Sequence, residues 1–455
     1  MTEAALQPFV NEGLGNSSYV LRVGRHEAVV VDPDRSATRY VRAAESRGLQ
    51  IVAVVESHLH ADFVSGGLEL HAAVGAQIHA PAEAGLAYPH RGLREGDRVE
   101  VGDAELEVRA TPGHAPEHLS FVLRGEGAAP PLLWSGGALI VGGAARTDLV
   151  APELTDPLTR ALFATRRAFD DLPDETVVLP THGAGSFCSA GSGSARTSTL
   201  GAERLTNPVL TFAGDEDAFA RWFPSTFPGT PAYYSRMRTV NAAGPRLARD
   251  IASPPPLYPL AFEAASRETG ALVVDCRAPD AYSAAHIGGA LAIPFRPAFS
   301  TWLGWLAPED ARLLLVVDGG AIDEVVVACL LVGYERFAGY LEGGFDAWVA
   351  AELPVRTLPS VEAEDAVPWI ENGARPLDVR EPDEFEEGRI RGATQIALGD
   401  LPDRLGELPG DRPLLVYCAS GYRSVTGASI LERFGAGPVV NLRRGYGAWR
   451  DAARD

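Results

Sequence analysis

The chain has 455 residues, which is too long for one hydrophobic core and indicates about three domains of roughly 150 residues each. The formal net charge is −20, so the chain lacks the basic surface that nucleic acids and anionic membranes require, and neither is expected as a partner. All 40 basic residues are Arg, which excludes a catalytic lysine amine.

The sequence also carries signals about its compartment. MTEAALQPFVNEGLGNSSYV has no basic stretch followed by a long apolar one, so we expect no signal peptide. The longest apolar runs, such as 325–333, reach about half the length of a membrane helix. Four cysteines without paired spacing (Cys188, Cys276, Cys329 and Cys418) are typical of reduced thiols, and we expect a cytoplasmic protein.

Short β-rich segments alternate with turns over residues 1–125. SSYVLRVGRHEAVVVDPD, QIVAVVESH and AQIHAP predict strands, and DRVEVGDAELEVRATPGH predicts a hairpin. RYVRAAESRG and LELHAAVG between them predict helices. A mixture of strands and helices with histidines at strand ends favours an α/β layered sandwich over a helical bundle.

Several histidines follow apolar segments. His58 and His60 lie in SHLHADF after IVAVVE, His114 lies in RATPGHAPEHLSF, and His182 lies in VVLPTHGAGSFCS. Because a metal ion needs several neutral imidazoles that converge from separate loops, this pattern predicts a metal site. His118 is close to these residues in sequence and could simply face solvent.

An internal repeat follows a Pro-interrupted stretch that ends in SPPP. DCRAPDAYSAAHIGGALAIP (275–294) matches DVREPDEFEEGRIRGATQIA (378–397), and LEGGFDAW matches LRRGYGAW at the same offset. The repeat predicts two consecutive α/β domains, and Asp318 of the first stands where the second has Cys418. Cys276 and Cys329 are expected in the core of the first copy.

LLVYCASGYRSVTGASILERFG predicts an apolar strand, a tight loop that begins at Cys418, and a helix. Backbone N–H groups converge in such a loop near the helix N-terminus and favour a thiolate or a persulfide on the cysteine. Arg423 adds a fixed positive charge. We therefore predict Cys418 and Arg423 as catalytic residues, with a substrate bound by the loop residues Ala419, Ser420, Gly421, Tyr422 and Ser424.

This loop and DVREPDEFEEG resemble the rhodanese family of sulfurtransferases over nearly all of residues 360–455. The resemblance implies that Cys418 accepts a sulfane sulfur as a persulfide and that Arg423 holds the anionic donor. Arg389 departs from the histidine that such domains often have. The first copy looks like the same fold without its nucleophile, because the Asp318 carboxylate cannot carry sulfur. Its expected role is structural or docking.

The N-terminal region resembles the metallo-β-lactamase fold, and more narrowly its persulfide dioxygenase branch fused to rhodanese domains. SHLHADFVSGG, YPHRGLREGD, TPGHAPEHLSF, RTDL, PTHGAGSFC and PAYYSRMRTVNAAGP carry the resemblance. It implies a metallo-β-lactamase-like αββα sandwich over 1–210, a helical extension and linker over 211–256, and two rhodanese-like α/β domains over 257–358 and 359–455. It further implies oxidation of a small-molecule thiol persulfide to sulfite with one Fe(II) per chain, sulfur exchange with thiosulfate or sulfite, and self-association into a homo-oligomer.

Two departures concern the predicted metal ligands His58, His60 and His114. Phe63 replaces the last His of the HxHxDH motif, which is compatible with a mononuclear site, and Gly137 stands where the family carries a ligating Asp. Three outcomes stay open: an all-imidazole site, a site completed by an exogenous anion or water, or no metal. Zinc is the alternative metal.

Three further residues are expected beside this site. Asp62 would orient the site or a bound water, and His182 would lie next to the ligands without binding a lone iron. Cys188 is either a redox-active thiol near the pocket or an ordinary loop cysteine.

The sequence thus favours a sulfur-handling enzyme in which sulfur transfer through Cys418 is coupled to a dioxygenase-like domain that has lost its Asp ligand. The alternative is a sulfurtransferase only, whose N-terminal domain is a metal-free binding or docking scaffold. A metal-dependent thioester or lactam hydrolase is a third, less favoured hypothesis. It needs a metal-bound hydroxide, which two zinc ions make best, and Phe63 and Gly137 both remove ligands from that arrangement.

Overall fold

The computed structural model describes residues 6–124, 129–190, 195–410 and 412–452, so the outermost ends of the two terminal predicted domains lie outside it. The chain forms two compact units. The first runs to Ile251 and includes Cys329–Gly333, and the second contains Ala252–Ala328 and the chain from Tyr334 onward. Among the described residues, no helix is both long enough and apolar enough to span a membrane.

Two six-stranded sheets form the body of the first unit. One consists of Leu6–Asn11 (β1), Asn16–Arg22 (β2), Glu27–Val31 (β3), Gln50–Val55 (β4), Gln77–Pro81 (β5) and Arg91–Leu93 (β6), paired in that order. The other consists of Arg98–Val101 (β7), Ala104–Ala110 (β8), Leu119–Leu123 (β9), Leu132–Gly136 (β10), Val177–Pro180 (β12) and Ser198–Thr199 (β14), in the order β14-β12-β10-β9-β8-β7. Ala144–Ala145 (β11) pairs separately with Ser189–Ala190 (β13).

Helices cover the outer faces of these sheets. The first unit contains Ala37–Glu45 (α1), Gly67–Val74 (α2), Thr155–Thr165 (α3), Leu200–Thr206 (α4), Glu216–Trp222 (α5) and Tyr234–Ala243 (α6). Tyr40 of α1 and Leu70 of α2 pack with Val20 and Val54 of the first sheet, and Leu200 of α4 packs with the second sheet. The result is the αββα sandwich, and the predicted fold class is confirmed.

The alternation of side chains along the strands explains where the core lies. Tyr19 and Leu21 point into the space between the sheets, where they meet Phe121 and Trp134, while Val20 points to the helices. Five segments then leave the C-terminal ends of β3, β4, β8, β10 and β12 at one edge of the sandwich. These segments carry the polar residues of the candidate metal centre.

The second unit contains the two copies of the repeat, each with a five-stranded sheet. The first has Pro256–Leu257 (β15), Ala271–Asp275 (β16), Leu291–Ala292 (β17), Arg312–Val316 (β18) and Phe337–Leu341 (β19), in the order β15-β19-β18-β16-β17. The second has Ser360–Val361 (β20), Arg375–Asp378 (β21), Thr394–Gln395 (β22), Leu414–Tyr417 (β23) and Val439–Leu442 (β24), in the corresponding order β20-β24-β23-β21-β22. All described pairings in both sheets are parallel.

The helices of the two copies follow the same repeat. The first copy has Pro259–Ser266 (α7), Pro279–Ala284 (α8), Phe299–Leu306 (α9), Ile322–Leu331 (α10) and Gly344–Ala350 (α11). The second has Ala363–Glu371 (α12), Pro382–Glu387 (α13), Tyr422–Arg433 (α14) and Gly445–Ala452 (α15).

A buried ion pair recurs in both copies at the same place. Arg277 donates to Asp275 at 2.6 Å and to the carbonyl of Ala285 at 2.8 Å. In the second copy Arg380 donates to Asp378 at 2.7 Å and to the carbonyl of Gly388 at 2.6 Å. A buried charge pair is retained only when its hydrogen bonds are satisfied, and here the arginine also ties the strand to the segment after the next helix. The repeat inferred from sequence is therefore a structural repeat.

Candidate functional site

Four imidazoles meet at the edge of the αββα sandwich. His58 and His60 follow β4, His114 follows β8, and His182 follows β12, and all four side chains are buried. Ring centroids lie 4.3 Å apart for His58 and His60, 4.8 Å for His58 and His114, and 5.3 Å for His58 and His182. The predicted convergence of histidines from separate loops is what the structure shows.

Hydrogen bonds define which nitrogen of His58 is free. Ser57 Oγ donates to the Asp32 carboxylate at 2.7 Å, so it accepts the 2.8 Å hydrogen bond from His58 Nδ1. His114 Nδ1 likewise donates to the carbonyl of Arg146 at 2.7 Å. Burial, together with the neighbouring histidines, lowers the pKa of both His58 and His114 well below its ordinary value. Both rings are neutral and keep an unprotonated Nε2, the form that binds a metal.

His182 completes the tightest group of potential ligands. One ligand atom from each of His58, His114 and His182 lies within 4.8 Å of the others. Nε2 of His182 is 3.2 Å from Nε2 of His58, and two nitrogens about 2.1 Å from one metal ion lie about 2.9–3.4 Å apart. The sequence predicts His182 beside the metal ligands and not among them, whereas the structure places it with His58 and His114. The identity of the metal ligands stays a prediction.

His60 has different neighbours from the other predicted ligands. Its Nε2 lies 3.3 Å from Glu56 and 3.5 Å from Asp32. Burial lowers the pKa of His60, but the hydrogen bonds and charges of these two carboxylates outweigh it and raise the pKa to about 10. Its Nε2 is therefore engaged by carboxylates, and only Nδ1, buried without a hydrogen-bond partner, could face a metal.

Asp62 supplies buried negative charge to the same place. Neither of its carboxylate oxygens has a hydrogen bond within the described part of the chain, although Oδ2 lies 3.2 Å from Nδ1 of His182. His60, Asp62 and His182 form a second group of potential ligand atoms within 4.8 Å. Unpaired buried polar atoms are costly unless a ligand satisfies them, so the residues present fit a divalent cation.

The Gly136–Gly137 turn shows what replaces the missing aspartate. The backbone N–H of Gly137 donates to Nε2 of His118 at 2.8 Å, and Nδ1 of His118 bonds Thr111 Oγ1 at 2.9 Å. His118 is therefore buried and not at the solvent, and burial lowers its pKa to about 3. A Cβ at Gly137 would lie 2.7 Å from Cδ2 of His114, so the space for a side chain there is taken up by that ring.

The segment after the sandwich contributes residues that sequence reasoning did not single out. Tyr233 donates to the carbonyl of Asp62 at 2.9 Å, and Asn241 donates to the carbonyls of His60 and Phe63 at 2.9 Å each. Arg238 donates to the carbonyl of Leu59. All three lie in PAYYSRMRTVNAAGP, which had been noted only for its family resemblance. The motif therefore holds the His58–Phe63 loop in place.

Two acidic residues were also missed. Asp32, at the end of β3, accepts hydrogen bonds from Ser57 and Thr181 and adopts a left-handed backbone conformation (φ 47°) that non-glycine residues rarely adopt. Glu117 accepts hydrogen bonds from the backbone N–H of Leu59 at 3.1 Å and from Arg238 at 3.0 Å. The sequence signal was present for Glu117, which lies in the His114 segment already assigned to the site, whereas Asp32 lies in a segment that had been assigned only as a strand.

Cys188 is buried next to these residues. Burial and the charge of Asp62 raise the pKa of its thiol well above the ordinary value, and a hydrogen bond with Tyr234 opposes this only in part. A thiol that stays protonated reacts slowly as a nucleophile or redox group. The geometry thus favours the ordinary-cysteine interpretation over the redox thiol.

The second predicted centre lies between β23 and α14. Cys418 is buried, and its Sγ accepts a hydrogen bond from the backbone N–H of Gly421 at 3.1 Å and lies 3.7 Å from Ser424 Oγ. Gly421 has φ +95°, which lets the loop turn back over the sulfur. Ala419, Ser420 and Tyr422 are exposed on the loop, whereas Gly421 and Ser424 are buried.

Arg423 is held by a carboxylate of the preceding segment. Its guanidinium makes two hydrogen bonds of 2.7 Å to Glu384. Burial lowers the pKa of Arg423, but Glu384 and the charge of Cys418 outweigh burial, so the pKa is raised above its ordinary value. Nearby Glu381 has one carboxylate oxygen without a partner, and burial raises its pKa to about 7. The arginine expected to bind the donor therefore starts out paired.

The corresponding loop of the first copy has no thiol. Asp318 follows β18 and lines a cavity of about 350 Å³ that also contains Glu342 and Asp346. Cys276 and Cys329 are both buried, in keeping with the core positions expected for them. This loop offers negative charge where the second copy offers a nucleophile.

Comparisons with known proteins place the chain in a family. The metallo-beta-lactamase superfamily model matches residues 11–182, and the rhodanese-like domain model matches residues 259–351 and 362–452. The metallo-beta-lactamase from Staphylococcus aureus subsp. aureus COL is 30% identical, with a TM-score of 0.65 over 74% of this chain and 98% of that one. The human mitochondrial persulfide dioxygenase ETHE1 is 31% identical over 195 residues, which cover 42% of this chain and 69% of that protein. The chain belongs to the ETHE1-related metallo-beta-lactamase family.

This ETHE1-related protein also has relatives that are named for another activity. A hydroxyacylglutathione hydrolase from Methylobacterium nodulans is 33% identical over 144 residues, 31% of this chain and 52% of that protein. The ETHE1-related domain and the tandem rhodanese-like domains together make the protein a sulfur-handling enzyme of sulfur metabolism. Its histidine-rich groups can hold a metal ion.

Proposed function

We propose that the protein is a sulfurtransferase that carries sulfane sulfur on Cys418. The observation that supports this most directly is the 3.1 Å hydrogen bond from the Gly421 N–H to the Cys418 sulfur at the start of α14. A backbone donor and a helix N-terminus both favour negative charge on that sulfur. Arg423, on the first turn of the same helix, adds a cation beside it.

The transfer proceeds in two exchanges without net oxidation. The Cys418 thiolate attacks the outer sulfur of the donor, the donor S–S bond breaks, and the electron pair leaves with the departing thiolate or sulfite. Cys418 then carries a persulfide whose outer sulfur is attacked by a thiophilic acceptor, which restores the Cys418 thiolate. The Gly421 N–H stabilises the sulfur in each anionic form.

We further propose that the N-terminal domain binds one metal ion through His58, His114 and His182, with Gly137 in place of the family's aspartate. Ferrous iron bound there would supply O₂ binding and activation for oxidation of a thiol persulfide to sulfite. Zinc, the alternative metal, has no redox chemistry and would leave a metal site without dioxygenation. Asp62 would orient His182, and Ser57 and Arg146 would fix the tautomers of the other two rings. The sulfite so formed is a sulfur acceptor that the Cys418 persulfide can use.

The filled space beside Gly137 favours a second candidate function. Because the ring of His114 lies where a ligand side chain would begin, the domain could act as a metal-free scaffold for a sulfurtransferase. Metal analysis separates the two. About one iron per chain by plasma mass spectrometry, together with persulfide-dependent O₂ uptake, supports the dioxygenase function. Zinc without O₂ uptake supports a metal site that does not oxidise persulfide, and a metal-free protein without O₂ uptake supports the scaffold.

Cys418→Ser tests the sulfurtransferase proposal on the full chain. Sulfur transfer from thiosulfate and from a small thiol persulfide should fall to background, because a hydroxyl cannot hold sulfane sulfur. Cys276→Ser, in the first copy, is the matched control and should keep the activity, since that thiol is buried and does not belong to the Cys418 loop. Circular dichroism checks folding of both variants, and retained transfer in Cys418→Ser would contradict the assignment.

A further inference from the structure

A cleft lies beside the Cys418 loop, and both copies of the repeat line it. Its volume is about 440 Å³, and its walls include Ala278, Pro279 and Asp280 of the first copy and Ser420, Gly421 and Tyr422 of the second. Pockets of about 300–1,000 Å³ hold small organic ligands. The cleft is therefore larger than an inorganic sulfur donor needs.

Direct contacts join the two copies around α14, the helix that begins at the loop. The backbone N–H of Ala292 donates to Ser429 Oγ at 3.0 Å, and Arg433 donates to the carbonyl of Gly289 at 2.9 Å. Most of α14 is buried. The first copy is therefore fixed against the helix that carries the nucleophile loop, and the position of the cleft is defined.

The arginines of the cleft wall and of the Cys418 loop are paired with carboxylates. Arg423 is paired with Glu384, and Arg443 lies 2.7 Å from Asp280. Arg444 lies 2.9 Å from Glu362. A paired guanidinium attracts a further anion only weakly, so these arginines leave little net positive charge for a doubly charged donor.

Arg296 of the first copy, which does not line the cleft itself but contacts Tyr422 of its wall, is not paired in this way. It is exposed, and its guanidinium carbon lies 4.4 Å from the ring centroid of Tyr422. Within the described residues no carboxylate forms an ion pair with it. Tyr422 is the first residue of α14 and is four positions after Cys418, so the cation is held at the mouth of the loop.

We propose that Arg296 binds the carboxylate of an organic persulfide donor, so that the first copy supplies a substrate-binding residue to the Cys418 site. The inference rests on the proposed sulfur transfer and names its donor class as a small, carboxylate-bearing thiol persulfide. Its sulfane sulfur passes to Cys418, its S–S bond breaks, and the free thiolate takes up a proton and leaves. The degenerate copy thus selects the donor while the second copy performs the transfer.

The test compares two donors of equal length on the full chain. The persulfide of 3-mercaptopropionate carries a carboxylate, and the persulfide of cysteamine carries an amine at the same position. Arg296→Gln should raise KM for the carboxylate donor about fivefold, as loss of a partly exposed ion pair implies, with kcat unchanged. KM for the amine donor should not rise, and Arg296→Lys should recover part of the loss.

Arg375→Gln is the control for net charge. Arg375 is exposed at the start of β21, while the Cys418 loop follows the end of the parallel strand β23, so the two lie at opposite edges of the sheet. Equal KM changes for both donors, or none in Arg296→Gln, would overturn the role of Arg296. Absence of transfer by the unmodified protein would instead overturn the proposed function.

Discussion

Replacing Gly137 with Asp should lower the stability of the metal-free protein and raise its affinity for a divalent metal. The new Cβ would lie 2.7 Å from Cδ2 of His114 and 2.9 Å from Cβ of Ala145. Unstrained carbon contacts are about 3.5–4.0 Å. The His114 ring must therefore tilt away, and an overpacked site of this kind costs about 1–3 kcal/mol.

The predicted gain in metal affinity comes from the Asp carboxylate. A tilted His114 leaves the Asp oxygen facing the imidazoles of His58 and His114, which is a two-His-one-carboxylate arrangement. Outer partners of metal ligands alone change affinity by about 10–100-fold, so a direct ligand should contribute about 100-fold or more, which is about 2.7 kcal/mol. With metal in excess, this binding energy should offset the loss of stability.

The assay is urea unfolding with and without metal, combined with competition against a chromogenic chelator. Gly137→Asn is the matched control, because it introduces the same clash without a charge. We expect both variants to lose similar stability in a chelator and only the Asp variant to regain it with zinc or, under anaerobic conditions, with ferrous iron. Equal metal affinities of the two variants would refute the reasoning, as would unchanged stability of both.

Two more predictions concern buried groups. His118→Ala removes the acceptor of the Gly137 N–H and the partner of Thr111. It should lower the free energy of unfolding in urea by about 2–5 kcal/mol, and His118→Gln should recover part of this loss. A loss below about 0.5 kcal/mol would contradict the prediction. Burial raises the pKa of Glu381 to about 7, so its contribution to stability is complete below its unfolded value of 4.5 and is lost as the pH rises through 7. Over the same pH range the carboxylate formed at Glu381, beside Arg423, should raise KM for thiosulfate. Glu381→Gln should flatten this rise of KM with pH. An unchanged dependence of KM on pH in the variant would contradict the role of Glu381.

The fold was predictable because its signals are local. Apolar segments precede His58, His114 and His182, and each forms a strand that ends two to four residues before its histidine. Residues that directly follow a strand lie at the edge of the sheet where that strand ends. The repeat was visible because Asp275 and Asp378 recur with the same surrounding residues and the same strand register. The family comparison confirms both conclusions.

The chemistry of individual site residues was less predictable, because it depends on partners from distant segments. His60 and His182 have similar sequence contexts, yet two carboxylates engage the first and the second faces His58. Nothing in HLHAD indicates that difference. The contact of Arg296 with Tyr422 likewise arises only when the two copies pack together.

The paired Asp–Arg contacts of the two copies have a consequence for how such a chain can change over time. In each copy this contact joins the end of the second strand in chain order to the segment after the next helix, through Asp275 with Arg277 and through Asp378 with Arg380. The nucleophile of the second copy lies elsewhere, on the loop after β23. A duplicated domain can therefore lose its nucleophile, as at Asp318, and still fold as a complete body. The copy without a nucleophile can then acquire a different function, because substitutions in its loop leave the Asp–Arg contact in place.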